Sequence, residues 1–262
     1  MENWEEIATM RREDFANEGQ GHVFNGWEEL SEQQQKDLLA QTEQFDVAQV
    51  NQLFEELIAN ADAGGQAEEA QDFETIEADQ VMSKLGMDDE DRQRLSELGL
   101  EKIREGKACV ILMAGGQGTR LGSSAPKGMY NIGLPSSKSI FQLLAEKFFK
   151  AQLLAHDLVA ETRDGRTVIP AEAETCKMLV MCTHENYGDT RAFFAQHNYF
   201  GGQESSFVFF KQRMLPAVST EGKIYMKSKE EIALAPCGNG ALLDAIAIDK
   251  TVKEYLGSVD YA

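Results

Sequence analysis

Residues 108–122 read Ala-Cys-Val-Ile-Leu-Met-Ala-Gly-Gly-Gln-Gly-Thr-Arg-Leu-Gly, an apolar run that passes without a break into a glycine loop. The six residues Ala108 to Met113 have the length of a strand buried on both faces. The glycines that follow carry no Cβ, so main-chain N–H groups there can turn toward phosphate oxygens and the chain can approach a flat base closely. Two familiar loops do not fit. A P-loop needs Lys followed by Ser or Thr after its last glycine, and Gly122 is followed by Ser123 and Ser124. The dinucleotide fingerprint fails on spacing, because three residues separate Gly118 from Gly122. Two cations sharpen the reading. Arg120 lies inside the loop and Lys127 follows Pro126, whose fixed φ stiffens the approach, so both can reach a polyphosphate held by the backbone. At an effective dielectric near 20, one such charge pair at about 4 Å is worth roughly 4 kcal/mol before desolvation.

Working outward, the pattern alternates strands with helices. Ser139 can cap a helix from Ile140 to about Val159 with Ile140, Leu143, Leu144, Phe148 and Leu154 on one face. A strand at Met178–Cys182, a helix near Asp189–His197 and a strand at Ser206–Phe210 follow. This rhythm predicts an α/β fold with a mostly parallel sheet and ligands at the carboxyl ends of its strands. Upstream the period is helical. Val47, Val50, Leu53, Phe54, Leu57 and Ile58 mark an amphipathic helix capped by Asp46, and Ser31–Gln44 and Asp89–Arg104 also read as helices. Asn60–Gln71 reads as a flexible acidic linker, and the acidic helices as a solvated cap more than a partner surface.

Charge divides the 262 residues in the same place. Residues 1–105 hold 28 Asp/Glu against 8 Lys/Arg; residues 106–262 hold 16 against 17. The expected organisation is an acidic helical region at 1–105 and a nucleotide-binding region at 106–262. A net charge of -19 argues against a general nucleic-acid binder, while the near-neutral second part can still attract an anion locally. No apolar run is long enough for a membrane span and the first residues show no secretory pattern, so the expected address is cytoplasmic. Cys109, Cys176, Cys182 and Cys237 are scattered and read as reduced thiols. His22, His156, His184 and His197 have no partner at ligand or triad spacing, and Asp157 and Asp164 read as solvated loop residues.

Leu112–Gly122, then Pro126-Lys127-Gly128-Met129-Tyr130 and Gly133-Leu134-Pro135-Ser136, resemble the signature of eukaryotic UDP-N-acetylhexosamine pyrophosphorylases, also called UDP-N-acetylglucosamine diphosphorylases. Phe209–Ala217 is similar to the glutamine-containing uracil segment of that family, and Pro236–Leu242 to its P-x-G-N-G-G-L turn. The resemblance covers about residues 105–262 and implies a Rossmann-like nucleotidyltransferase that forms UDP-N-acetylglucosamine and pyrophosphate from UTP and N-acetylglucosamine 1-phosphate. It implies that Met113, Ala114, Gly115 and Gly116 hold the uridine and phosphates by main chain and that Lys127 lies on the phosphates. Gln212 would read the uracil edge, because an amide offers both a donor and an acceptor. Gly238 would let the base approach the chain, Asn239 would bind the sugar side, and Arg120 would stabilise charge developing on the α-phosphorus.

Two residues depart from the pattern. Cys237 stands where a polar or acidic residue is usual, and Ala241 replaces the second glycine of the last block. The resemblance also implies Mg²⁺, with its main aspartate ligand expected beyond Ala262; Asp260 falls several residues too early for that role. On this expectation the chain is the N-terminal part of an enzyme, able at most to bind uridine nucleotide weakly. The alternatives are a pyrophosphorylase for another UDP-sugar and a non-catalytic uridine-nucleotide-binding or interaction fragment. Thr183 reads equally as a structural hydroxyl or as part of a loosely matching threonine segment.

Overall fold

The computed structural model describes residues 4–62, 75–77, 80, 81, 83, 85–116, 118, 121–238 and 240–262. Its helices and strands, in chain order, are α1 (Trp4–Asn17), α2 (Glu32–Thr42), α3 (Val47–Asp62), α4 (Asp89–Arg104), β1 (Cys109–Met113), α5 (Ile140–Ala155), β2 (Glu161–Arg163), β3 (Arg166–Val168), β4 (Lys177–Cys182), α6 (Tyr187–Gln196), β5 (Phe207–Lys211), β6 (Met214–Pro216), β7 (Leu234–Pro236), α7 (Ala241–Ile248) and α8 (Lys250–Leu256). Most helix starts are closed by the residue the sequence marks. Ser31 and Gln34 form a reciprocal capping box at α2, Asp46 accepts from the Ala48 and Gln49 N–H groups at α3, and Ser139 accepts from Gln142 N–H at α5.

The chain divides into two units, Met1–Thr75 with Arg213–Cys237, and Ile76–Gln212 with Gly238–Ala262. This division differs from the charge boundary at 105 in two respects. Helix α4 belongs to the second unit, where Arg104 Nε donates to the Ala155 carbonyl at 2.6 Å and Thr175 Oγ1 to the Ile103 carbonyl at 2.7 Å. The segment after Gln212 belongs to the first unit, because its apolar residues complete that unit's core. There Ile224 and Ile232 are buried in one cluster with Phe15, Phe24, Trp27, Leu38 and Leu39. Charge follows the surface, whereas the division follows buried apolar contacts. Most of the expected linker, residues 63–71, lies outside the described residues.

The second unit is built on a parallel sheet in the order β1-β4-β5. Strand β4 is central, and its side chains alternate between two apolar clusters. Met178, Val180 and Cys182 join Phe141, Phe148, Phe149, Phe194 and Phe207 on the side of α5 and α6. Leu179 and Met181 join Phe210, Ala245 and Val252 on the side of α7 and α8. Strand β1 is less covered than its composition suggests: Val110 is 40% and Met113 50% exposed. It pairs with β4 on one side, and on the other, among the described residues, only Ala108 forms a parallel bridge, to Tyr261. Helix α5 stops at Ala155, short of Val159, as the chain turns through Asp157 at φ 54°. Among the described residues no helix is long and apolar enough to cross a membrane.

Candidate functional site

The carboxyl ends of three adjacent parallel strands deliver Met113–Gly116, Thr183 and Gln212 to one edge of the sheet. Ala114 N–H continues the ladder by donating to the Met181 carbonyl at 2.7 Å, and Gln212 N–H does the same to Cys182 at 2.8 Å. Gln212 is only 4% exposed, and its side chain reaches the main chain of Gly115. A Cβ placed on Gly115 would lie 2.6 Å from Gln212 Nε2 and 3.3 Å from Thr183 Cγ2, so only glycine admits this approach. Gly115 is a buried residue and, among the described residues, neither its N–H nor the Gly116 N–H nor the Gln212 carboxamide has a hydrogen-bond partner. Unpaired donors gathered at the carboxyl ends of the strands leave this cluster open to a ligand's acceptors.

The loop beyond is closed by its own backbone. Gly118 N–H donates to the Ala125 carbonyl at 3.1 Å, Ser123 N–H returns to the Gly118 carbonyl at 3.1 Å, and Gly122 turns the chain at φ 71°. Lys127 N–H donates to the Gly116 carbonyl at 3.1 Å, which brings the lysine beside the glycine run. The lysine opens a short 3₁₀ turn whose next residue, Gly128, packs so tightly on Phe141 that a Cβ would lie 2.1 Å from the ring. Its own side chain is exposed and, among the described residues, unpaired. Gly238 has φ 73° with open space at its Cβ position, and its carbonyl accepts from Ala241 N–H at 3.3 Å ahead of α7. The structure thus joins Gly115 to Gln212 and Gly116 to Lys127, and shows no hydrogen bond from Gly238 to either pair. Arg120 and Asn239 lie outside the described residues, as do Gln117 and Thr119.

Several neighbours escape a reading of the sequence. Asn186 is 3% exposed and ties the strand ends together: its Nδ2 donates to the Ala114 carbonyl at 2.8 Å and its Oδ1 accepts from Thr183 N–H at 2.9 Å. Thr183 resolves as a structural hydroxyl, with Oγ1 accepting from Asn186 N–H at 3.2 Å. Lys211 Nζ stands 4.7 Å from the centre of the Tyr187 ring, a cation–π contact. Burial, and then the Lys211 charge, hold the His184 imidazole below the ordinary histidine range. Burial pushes the Cys182 thiol up to about 12; it also pushes Cys109, with Cys176 adding, up to about 11. These are inert packing thiols at neutral pH. Cys237 Sγ donates to the Arg213 carbonyl at 3.4 Å, and Ala241 is buried at the start of α7. Among the described residues no three His, Cys, Asp or Glu side chains are grouped to hold a metal ion.

Comparison with known proteins adds four findings. The family described as UTP–glucose-1-phosphate uridylyltransferase matches residues 47–258. The chain is 37% identical over 246 residues to the UDP-N-acetylglucosamine pyrophosphorylase of Saccharomyces cerevisiae, covering 92% of this chain and 48% of that protein. It is 35% identical over 236 residues to UDP-N-acetylglucosamine diphosphorylase 2 of Arabidopsis thaliana, covering 90% and 45%. The fold is shared with the Trypanosoma brucei uridine diphosphate N-acetylglucosamine pyrophosphorylase solved in complex with an inhibitor, at a TM-score of 0.70 and 24% identity over 95% of this chain and 49% of that one. The chain spans about half the length of the curated relatives it matches.

Proposed function

Because the chain belongs to the UTP–glucose-1-phosphate uridylyltransferase family, we propose that its second unit binds the uridine end of UTP at the carboxyl edge of β1, β4 and β5. The observation that carries this reading is the close approach of buried Gly115, with its unpartnered N–H, to the unpartnered carboxamide of Gln212. A uracil edge offers two carbonyl oxygens and one N–H, which a carboxamide and a main-chain donor complement. The exposed Lys127, tied to Gly116, then meets the phosphates.

In the whole enzyme the phosphate oxygen of N-acetylglucosamine 1-phosphate attacks the α-phosphorus of UTP. The P–O bond to the β-phosphate breaks, and pyrophosphate leaves with that electron pair. Arg120 neutralises charge on the α-phosphoryl oxygens in this step, Asn239 serves to bind the sugar and Gly238 to admit the base. The acetylated hexosamine is favoured over glucose by the yeast and Arabidopsis relatives, both named for UDP-N-acetylglucosamine. A cytoplasmic location belongs to the same proposal.

Isothermal calorimetry of the 262-residue chain with UTP, uridine and ATP tests the site. UTP and uridine should bind, UTP more tightly, with ATP at least tenfold weaker than UTP. Equal affinity for UTP and ATP would remove uracil reading from the proposal. Pyrophosphate release with the acetylated and unacetylated sugar phosphates separates the enzyme reading from that of a binding fragment.

A further inference from the structure

The end of the β1/β4 ladder holds an irregularity that the uridine reading does not itself explain. In a parallel ladder with Met113 opposite Met181, Ala114 N–H bonds the Met181 carbonyl and Thr183 N–H should bond the Ala114 carbonyl. The first bond is made, at 2.7 Å. In place of the second, the Asn186 carboxamide stands between the two groups, accepting from Thr183 N–H at 2.9 Å and donating to the Ala114 carbonyl at 2.8 Å. A side-chain amide has here replaced a direct main-chain bond with two bonds in series, which requires the strand ends to stand further apart than a ladder would hold them. Asn186 is also the residue before the first turn of α6, where asparagine ordinarily caps, yet its side chain caps nothing in that helix. Capping falls to Thr183 Oγ1, which accepts from Asn186 N–H.

We propose that Asn186 is a positioning residue: its carboxamide wedges β1 and β4 apart at their carboxyl ends and so sets the slot in which the Gly115 N–H and the Gln212 carboxamide meet uridine. The geometry is coupled at short range. Ala114, whose carbonyl Asn186 holds, precedes Gly115, and Thr183, whose N–H it holds, carries a methyl group that crowds the same Cβ position of Gly115 as the Gln212 amide. Without the wedge, the Thr183 N–H and the Ala114 carbonyl are free to pair directly, closing the slot. This inference rests on the uridine reading for its ligand, but not for the wedge.

The test uses Asn186→Ala and the nearly isosteric Asn186→Asp in the 262-residue chain. Amide NMR without ligand reads the wedge: in Asn186→Ala the Gly115 N–H and the Gln212 carboxamide resonances should shift, and a hydrogen-bond coupling between Thr183 N and the Ala114 carbonyl carbon should appear. Calorimetry with uridine reads positioning: the dissociation constant should rise at least tenfold while binding stoichiometry stays that of the parent. Asn186→Asp at neutral pH keeps an acceptor for Thr183 but sets an oxygen against the Ala114 carbonyl, so its loss should match or exceed that of Asn186→Ala. This variant decides the matter if Asn186→Ala fails to fold. Unshifted Gly115 and Gln212 resonances, or a uridine affinity within twofold of the parent in a folded variant, would overturn the proposal, as would a fall in stoichiometry at unchanged affinity. A parent chain that binds no uridine sinks the function reading instead, and the ligand-free spectra still judge the wedge.

Discussion

The first unit buries Gln20 and the second buries Gln152 and Gln212, and Gln20 and Gln212 are used in opposite ways. Gln20 in the first unit is 2% exposed and fully engaged: Nε2 donates to the Gly222 carbonyl at 2.7 Å and to Asn51 Oδ1 at 2.9 Å, while Oε1 accepts from Ile224 N–H at 3.1 Å. Gln212 in the second unit is 4% exposed, and its carboxamide is unpartnered among the described residues. One amide closes a network across 202 residues of sequence; the other is held in readiness. Burial by itself therefore says little about a polar residue's role. What separates structure from site is whether its donors and acceptors are already matched.

The largest expected effect breaks this comparison from the structural side. Gln20→Ala strands the buried Ile224 N–H and the Gly222 carbonyl and should lower stability by about 3 kcal/mol in urea unfolding, since unpaired buried groups cost more than the bonds contribute. Its uridine affinity, measured on the folded fraction, should be that of the parent; a tenfold loss would mean that Gln20 also serves the ligand. Next comes Gly115→Ala. The new Cβ displaces the end of a flexible side chain, so stability should change by less than about 1 kcal/mol, while uridine binding weakens about thirtyfold, about 2 kcal/mol. Gln212→Ala should follow, with about a tenfold loss of uridine affinity and an unchanged unfolding midpoint, because it removes no bond within the described protein. A clear drop in its stability would make Gln212 a second Gln20.

The strand-loop-helix order of the second unit was legible because local chemistry decides it: Ala108–Met113 is a short apolar run, Ser139 caps α5, and the later strands begin within a residue of their expected positions. The β2–β3 hairpin carried a readable signal, Asp164-Gly165, two adjacent residues with positive φ at a two-residue turn. The unit boundary carried none, because Arg213–Cys237 joins the first core through Ile224 and Ile232, contacts some 200 residues distant in sequence. In the site, glycine spacing marks Gly115 and Gly116. Asn186 lies ahead of the expected helix at Asp189–His197 with no pattern to mark it, and the ladder it interrupts reveals its use.

The smallest effect sharpens the same contrast between two exposed cations. Lys223 Nζ donates to the Gly19 carbonyl at 2.7 Å within the first unit, whereas Lys127 has no partner among the described residues and is fixed only through its main chain to Gly116. Surface contacts of this kind contribute little, so Lys223→Ala should cost about 0.5 kcal/mol or less of stability and leave UTP binding alone. Lys127→Ala should leave stability untouched and weaken UTP about threefold at low salt. Its uridine affinity should be unchanged, because uridine has no phosphate for the ammonium to meet. The difference for UTP should shrink as salt is raised, since an exposed charge pair is screened within about 10 Å at 0.1 M ionic strength. If Lys127→Ala weakened uridine and UTP alike, its effect would come through the Gly116 backbone, and the lysine would belong with Lys223 among residues that hold the fold.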